Sequence, residues 1–312
     1  MTTKENWGAR KQMNNKNLNK TAYTIIAVIV IIVTAFFGGN SLFDSAESRA
    51  VEGLDNVSIQ TGNSCISKIN IQDRDLRVYF FDVGQADSML IVNNGESMLI
   101  DAGNNEDGKL VVDNLKKIGI KKLNYVVGTH PHEDHIGGLD NVIKEFDIST
   151  IYMPKTTTNT KTYEDVIDAI SDKNKKITVP KVGDKFKVGE AVCEVMSIED
   201  NKNDMNACSI VIRMEYQGIS YLFTGDAEEG NEKARTWPQT DILKSGHHGS
   251  STSSSQKFLN QVSPSLIIIS VGKDNDYGHP HKETIERYNG LDAKVYRTDE
   301  CGDVLITQTN NK

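Results

Sequence analysis

Three imidazoles and two carboxylates fall within the six positions His130-Pro-His-Glu-Asp-His135, and Gly137-Gly138 follow directly. No other stretch limits the fold as much. Wound into one helix, these side chains would spread around its axis. They converge on one point only from a turn between a strand and a helix. The flanks supply that context: Leu123-Asn-Tyr-Val-Val127 reads as a buried strand, and Leu139, Val142, Ile143 and Phe146 recur at helical spacing. A strand end opening into a helix is where layered α/β folds bind ligands. Imidazole combined with carboxylate suits zinc, manganese or iron. The bland alternative is a surface turn that happens to be histidine-rich.

The remaining histidines weigh against that alternative. The chain has seven, at 130, 132, 135, 247, 248, 279 and 281, and all fall in three short clusters. Filler histidines would be scattered. The second cluster, His247-His-Gly-Ser250, lies in a loop whose glycines let backbone approach a ligand. The third, Gly278-His-Pro-His281, stands at a helix start, where free N–H groups favour an anion. Asp226 follows the apolar run Tyr221-Leu-Phe and is placed to bridge two cations, although Thr-Gly-Asp is also a common turn. Asp82, Asp87 and Asp101 also sit at strand ends. Their reading is to orient ligand imidazoles or to satisfy loop N–H groups.

Organisation along the chain follows from charge and periodicity. Residues 1–20 carry five basic side chains against one acidic, and read as a cytoplasmic leader. Residues 21–42 contain no charge and centre on Ile25-Ile-Ala-Val-Ile-Val-Ile-Ile-Val33, long enough to span a bilayer. Basic residues ahead of that span place the rest of the chain outside the cytoplasm. The adopted reading is a retained signal anchor; a cleaved signal peptide, giving a secreted protein, is the alternative. A buried core helix would need apolar partners on every face. Residues 43–73, rich in Ser, Asn, Asp and Gly, read as a tether. Residues 74–312 read as one domain of hairpin strands and intervening helices, with helices expected near 108–118, 163–171, 255–262 and 282–288. Beyond residue 20 the net charge is about −12, unlike a generic nucleic-acid binder, whose phosphate affinity comes from Lys and Arg. Cys65, Cys193, Cys208 and Cys301 are widely spaced and form no paired metal motif.

Taken together, His130-x-His-x-Asp-His135, Asp226 and His247-His248 resemble the metallo-β-lactamase superfamily. Finer motifs are similar to the lactamase-like domain of ComEC-type competence proteins. They include Phe81-Asp-Val-Gly-Gln-Ala-Asp-Ser88, Leu99-Ile-Asp-Ala-Gly103, Asn206 with Ser209, Lys244-Ser-Gly-His-His-Gly-Ser250 and Tyr277-Gly-His-Pro280. The large hydrophobic channel region of full competence proteins is not in this chain. The resemblance implies an α+β fold, a four-layer αββα sandwich, with the site at one edge between two sheets. It implies two divalent ions, Mn²⁺ or Zn²⁺. His130 and His132 would hold one, and Asp134, His135 and one of His247 and His248 the other, with Asp226 between. Asp134 could also orient the attacking water, the remaining histidine of the pair could contact the developing oxyanion, and His279 could grip a phosphate or protonate the leaving group. Asp82, Asp87, Asp101, Asn206, Ser209 and Lys244 would support these groups.

One departure from the pattern matters. Residues 136 to 246 contain no histidine, so the third imidazole that many members give the first metal is missing. Asn206 or Ser209 stands near that place in the competence branch. A shell poorer in nitrogen favours Mn²⁺ or Mg²⁺. The function expected is an extracytoplasmic metal-dependent phosphodiesterase, first of all a nuclease acting on DNA. The alternatives are a phosphodiesterase of cell-wall polymers of the phosphorylcholine or teichoic-acid type, and a catalytically inactive, membrane-tethered binding module.

Overall fold

The computed structural model describes residues 49–51, 54–201 and 203–311. The leader at 1–20 and the segment at 21–42 lie outside them. Among the described residues no helix is long and apolar enough to cross a membrane.

Two sheets are built in chain order. The first contains β1 (Arg49–Val51), β2 (Leu54–Thr61), β3 (Leu76–Phe80), β4 (Met89–Asn93), β5 (Glu96–Ile100), β6 (Lys122–Val127), β7 (Asp147–Tyr152) and β8 (Ile177–Thr178). The second contains β9 (Lys185–Val188), β10 (Ala191–Ser197), β11 (Val211–Tyr216), β12 (Ile219–Phe223), β13 (Ile242–Lys244), β14 (Leu266–Ile269) and β15 (Lys294–Arg297). The last strand, β16 (Val304–Gln308), returns to the first sheet and lies between β2 and β3. Each sheet has an antiparallel half and a parallel half: β5 to β8 are parallel neighbours, as are β12 to β15.

Period-two alternation assigns the faces. On β5, Met98 and Ile100 point between the sheets and Leu99 points outward; on β12, Tyr221 and Phe223 point inward and Leu222 outward. Helices cover both outer faces. Over the first sheet, α1 (Gly108–Ile118), α2 (Glu133–Ile136), α3 (Leu139–Glu145) and α4 (Lys161–Asp172) cross between the parallel strands and bury Val111, Leu115, Val142 and Val166. Over the second, α5 (Glu229–Lys233), α6 (Gln256–Val262) and α7 (Lys282–Asn289) do the same with Phe258, Leu259 and Tyr288. The result is the expected four-layer αββα sandwich.

One expectation needs correction. Residues 43–73 are not a tether throughout, because β2 pairs with β16 over Val57–Thr61 and buries Leu54, Val57 and Ile59. Three apolar anchors among Ser, Asn and Asp carry too little periodicity to stand out, so the folded domain starts before residue 74. β3 stops at Phe80, where the chain loops back and Phe81 N–H donates to Ser88 O.

If β2 is integral, Ile59→Ala should cost about 2–5 kcal/mol of stability. Urea denaturation of the full chain measures this; a midpoint equal to wild type would restore the tether.

Candidate metal centre

Every proposed ligand comes from a loop at the C-terminal end of a parallel strand, the place where open α/β sheets bind ligands. Asp101 follows β5, and His130 to His135 follow β6. Asp226 follows β12, His247 and His248 follow β13, and Ser270 follows β14. Close backbone contact seats the histidine motif. A Cβ on Gly137 would lie 2.3 Å from Asn105 N, and one on Gly138 would lie 2.3 Å from Ala102 O. Only glycines let this turn press against the loop that carries Asp101. Adjacent side chains of an extended chain point to opposite sides. Yet the Nε2 atoms of His247 and His248 both come near Asp226 Oδ2, at 3.6 and 3.7 Å. The chain manages this by placing both residues in the left-handed region, at φ 46° and 50°.

Four donors surround one point. The ligating atoms of Asp134, His135, Asp226 and His248 all lie within 4.8 Å of one another. His135 Nε2 is 3.1 Å from Asp226 Oδ1 and 3.7 Å from Asp134 Oδ2, and His248 Nε2 is 3.2 Å from Asp134 Oδ2. Donors about 2.0–2.2 Å from one tetrahedral ion stand roughly 3.3–3.6 Å apart, and these three edges, at 3.1, 3.7 and 3.2 Å, lie close to that range. His135 Nε2 and Asp226 Oδ1 are buried without a hydrogen-bond partner, as a pair facing a cation would be. Beside the cage, His130 Nε2 and His132 Nδ1 face each other at 3.0 Å, and His130 Nε2 is 3.9 Å from Asp226 Oδ2. Asp226 thus stands between a four-donor cage and a two-imidazole bite.

The profile of the metallo-beta-lactamase superfamily matches residues 81–272. The chain belongs to this superfamily. It is 30% identical over 256 residues to ComE operon protein 3 of Bacillus subtilis, covering 75% of this chain and 33% of that protein. It is 32% identical over 232 residues to Recombination protein 2 of Haemophilus influenzae, covering 72% of this chain and 28% of that protein. The chain therefore spans about a third of the length of the curated relatives it matches. Among solved structures, the metallo-beta-lactamase fold protein YhfI of Bacillus subtilis is similar with TM-score 0.49 and 12% identity, over 73% of this chain and 98% of that one.

The rings of His135, His247 and His248 are each held by Nδ1, the nitrogen turned away from Asp226. His135 Nδ1 lies 2.8 Å from Asp101 Oδ2, and Asp101 is itself fixed by Thr129 N and Thr129 Oγ1 at 2.8 and 2.7 Å. His248 Nδ1 lies 3.0 Å from Ser270 O; a carbonyl only accepts, so that nitrogen carries hydrogen and Nε2 faces the cage. Lys244, fully buried, places Nζ 2.7 Å from Asp87 Oδ2, and Asp87 Oδ1 lies 3.4 Å from His248 Nδ1. His247 Nδ1 is 3.0 Å from Glu228 Oε1, which also accepts from Thr252 Oγ1 at 2.8 Å and Asn206 Nδ2 at 3.2 Å.

The electrostatics are those of a site built for added positive charge. Burial would depress His248, but Asp226 and Asp87 outweigh it and push the imidazole up to about 10. His135 is likewise raised against its burial by Asp226, Asp134 and Asp101. Burial would raise Asp226, yet His135 and His248 hold it well below the usual carboxylate range. The protons on His135 and His248 stand where a cation would stand. His279 is different: burial, then His247 and His248, bring it down to about 4.

The structure brings His130, His132, Asp134, His135, Asp226, His247 and His248 together, and places His248 rather than His247 in the cage. Asp87, Asp101 and Lys244 support it. Two expected supports do not. Asp82 is exposed; its carboxylate accepts from Gly84 N and its N–H donates to Asp303, so it shapes a loop. Asn206 reaches the site only through Glu228, and its Oδ1 has no hydrogen-bond partner. Nor does Ser209 replace the missing imidazole. Its Oγ accepts from Asp226 N and lies 3.4 Å from His130 Nδ1, the ring nitrogen turned away from His132. The sequence reading missed Thr129, Glu228 and Gln85. Thr129 and Glu228 stand one and two residues from named ligands, which is the only signal they offer.

Cation binding must displace the extra protons on His135 and His248, so affinity should rise with pH, about tenfold per pH unit for each proton displaced. Mn²⁺ titrations of the full chain at pH 6, 7 and 8, followed by electron paramagnetic resonance of free Mn²⁺, measure this. An affinity independent of pH would contradict the assignment.

Proposed function

We propose that this chain is a metal-dependent phosphodiesterase, with nucleic acid as its first substrate class. In this reading residues 21–42 anchor it in the membrane and the hydrolase domain lies outside the cytoplasm. The observation that carries the proposal is Asp226, a buried carboxylate shared by a four-donor cage and a two-imidazole bite at the floor of an open cleft. Divalent ions held there would supply Lewis acidity and bring the pKa of a bound water near neutrality. Two ions about 3.5–4 Å apart suit in-line displacement at phosphorus. Mn²⁺ is preferred for the imidazole pair, whose shell has fewer nitrogens than most members provide.

The chain's own residues do the rest. The small cavity over the site, about 280 Å³, is lined by Gln85, His132, Asp134, His247, Tyr277 and His279 among others. The Asp134 side chain is about a third exposed, and its carboxylate can accept a hydrogen from an attacking water. Glu228 Oε1 holds His247 by Nδ1 at 3.0 Å, which leaves the ring on the cavity wall where Nε2 can contact a substrate oxygen. Nucleic acid is supported by relatives whose names refer to competence and recombination.

A second reading has its own observation. The cavity next to the site, about 580 Å³, is lined by Asp82, Glu106, Asp107, Glu133 and Asp134, and by no Lys or Arg. A polyanion gains affinity from basic side chains. These walls suit a phosphodiester whose neighbouring group is neutral or cationic, such as a choline-bearing cell-wall polymer.

With Mn²⁺ the full chain should hydrolyse bis-p-nitrophenyl phosphate, and His132→Ala should lower kcat/KM at least about 100-fold. Single-stranded DNA compared with a choline-bearing polymer then separates the two substrates. No turnover with any divalent ion would leave only a binding module.

A further inference from the structure

Gln85 joins two loops over the site, and its amide makes two hydrogen bonds. Gly272 N–H donates to Oε1 at 3.0 Å, and Nε2 lies 3.2 Å from His279 Nδ1. A backbone N–H can only donate, so the amide oxygen must face Gly272 and the NH₂ must face His279. An amide NH₂ donates and does not accept. His279 Nδ1 is therefore the acceptor and carries no hydrogen, and the ring bears its single hydrogen on Nε2.

The surroundings hold this arrangement in place. A Cβ on Gly272 would lie 2.5 Å from Gln85 N, so glycine is needed for the two loops to meet. Asn275 clasps the backbone of His279, its Nδ2 donating to His279 O at 2.6 Å and its Oδ1 accepting from His279 N at 3.0 Å. The Tyr277 ring stacks on the imidazole at 5.7 Å and 24°. Among the described residues, His279 Nε2 has no hydrogen-bond partner, and the ring lines the cavity that holds Asp134, Asp226 and His248.

We propose that Gln85 is a positioning residue that presents His279 to the substrate as a neutral Nε2–H donor. The substrate half of this statement rests on the phosphodiesterase reading above; the tautomer does not. A neutral imidazole aimed at a phosphoryl oxygen holds charge as it develops and gives up no proton. Leaving-group protonation, one of the roles first open to His279, is not open to a ring held in this way.

Gln85→Glu tests this, because a carboxylate oxygen facing Nδ1 can only accept and so draws the hydrogen to Nδ1. The full chain, labelled with ¹⁵N-histidine in Mg²⁺, reports the tautomer through two-bond ¹H–¹⁵N correlations, with His279→Gln identifying the peaks. The wild type should carry hydrogen on Nε2 and Gln85→Glu on Nδ1. In that variant kcat for bis-p-nitrophenyl phosphate should fall about 100-fold, with KM and bound metal little changed. Hydrogen on Nδ1 in the wild type would overturn the assignment without any variant. A switched tautomer with unchanged kcat would overturn the positioning role. A wild type that hydrolyses no phosphodiester would sink the function proposed above, while the position of the ring hydrogen would still decide what Gln85 does.

Discussion

A buried carboxylate is tolerable only where something cancels its charge. Asp226 lies within 3.9 Å of a ring nitrogen on each of His130, His135, His247 and His248, and the remaining groups are arranged around that fact. Asp101 and Asp87 add two more buried carboxylates one layer out, balanced by His135 and by the Lys244 ammonium. Such a concentration of buried charge is costly, and side-chain protons compensate it only in part. A divalent cation is the natural complement, which is why metal affinity and imidazole protonation oppose each other here.

The sandwich makes this concentration possible. Parallel half-sheets from both layers end at the same edge, so β5, β6, β12, β13 and β14 each deliver one loop to one place. The inner core, with Phe80, Met98, Tyr221 and Phe223, holds the sheets together and fixes the spacing of the loops. Glycines at 137, 138 and 272 remove the side chains that would keep neighbouring loops apart. The outer walls of the cleft are acidic and carry no Lys or Arg, so the approach offers a polyanion no basic side chains.

Much of this was legible beforehand. The hexapeptide at 130–135 and the pair at 247–248 are dense enough in ligand chemistry to declare themselves, and β5, β6 and β12 have clear apolar runs. Other parts carried no local signal. β2 offers only Leu54, Val57 and Ile59 among polar residues, because one polar face of an outer strand looks like a linker. Glu228 is an ordinary acidic residue until the fold brings His247 and Thr252 to it across about 20 residues. Gln85 meets His279 across 194 residues, a distance no local pattern can express.

By itself the sequence determined the ligand chemistry, the superfamily and the layered α+β architecture, since side-chain type and hydrophobic period are local properties. Only the tertiary structure decided which histidine of the 247–248 pair completes the cage, that neither Asn206 nor Ser209 takes the place of the missing imidazole, and which nitrogen of His279 bears hydrogen. Those outcomes depend on directions. A direction is set when separate loops are pressed together by the packing of two sheets, and that packing is written in no single stretch of chain.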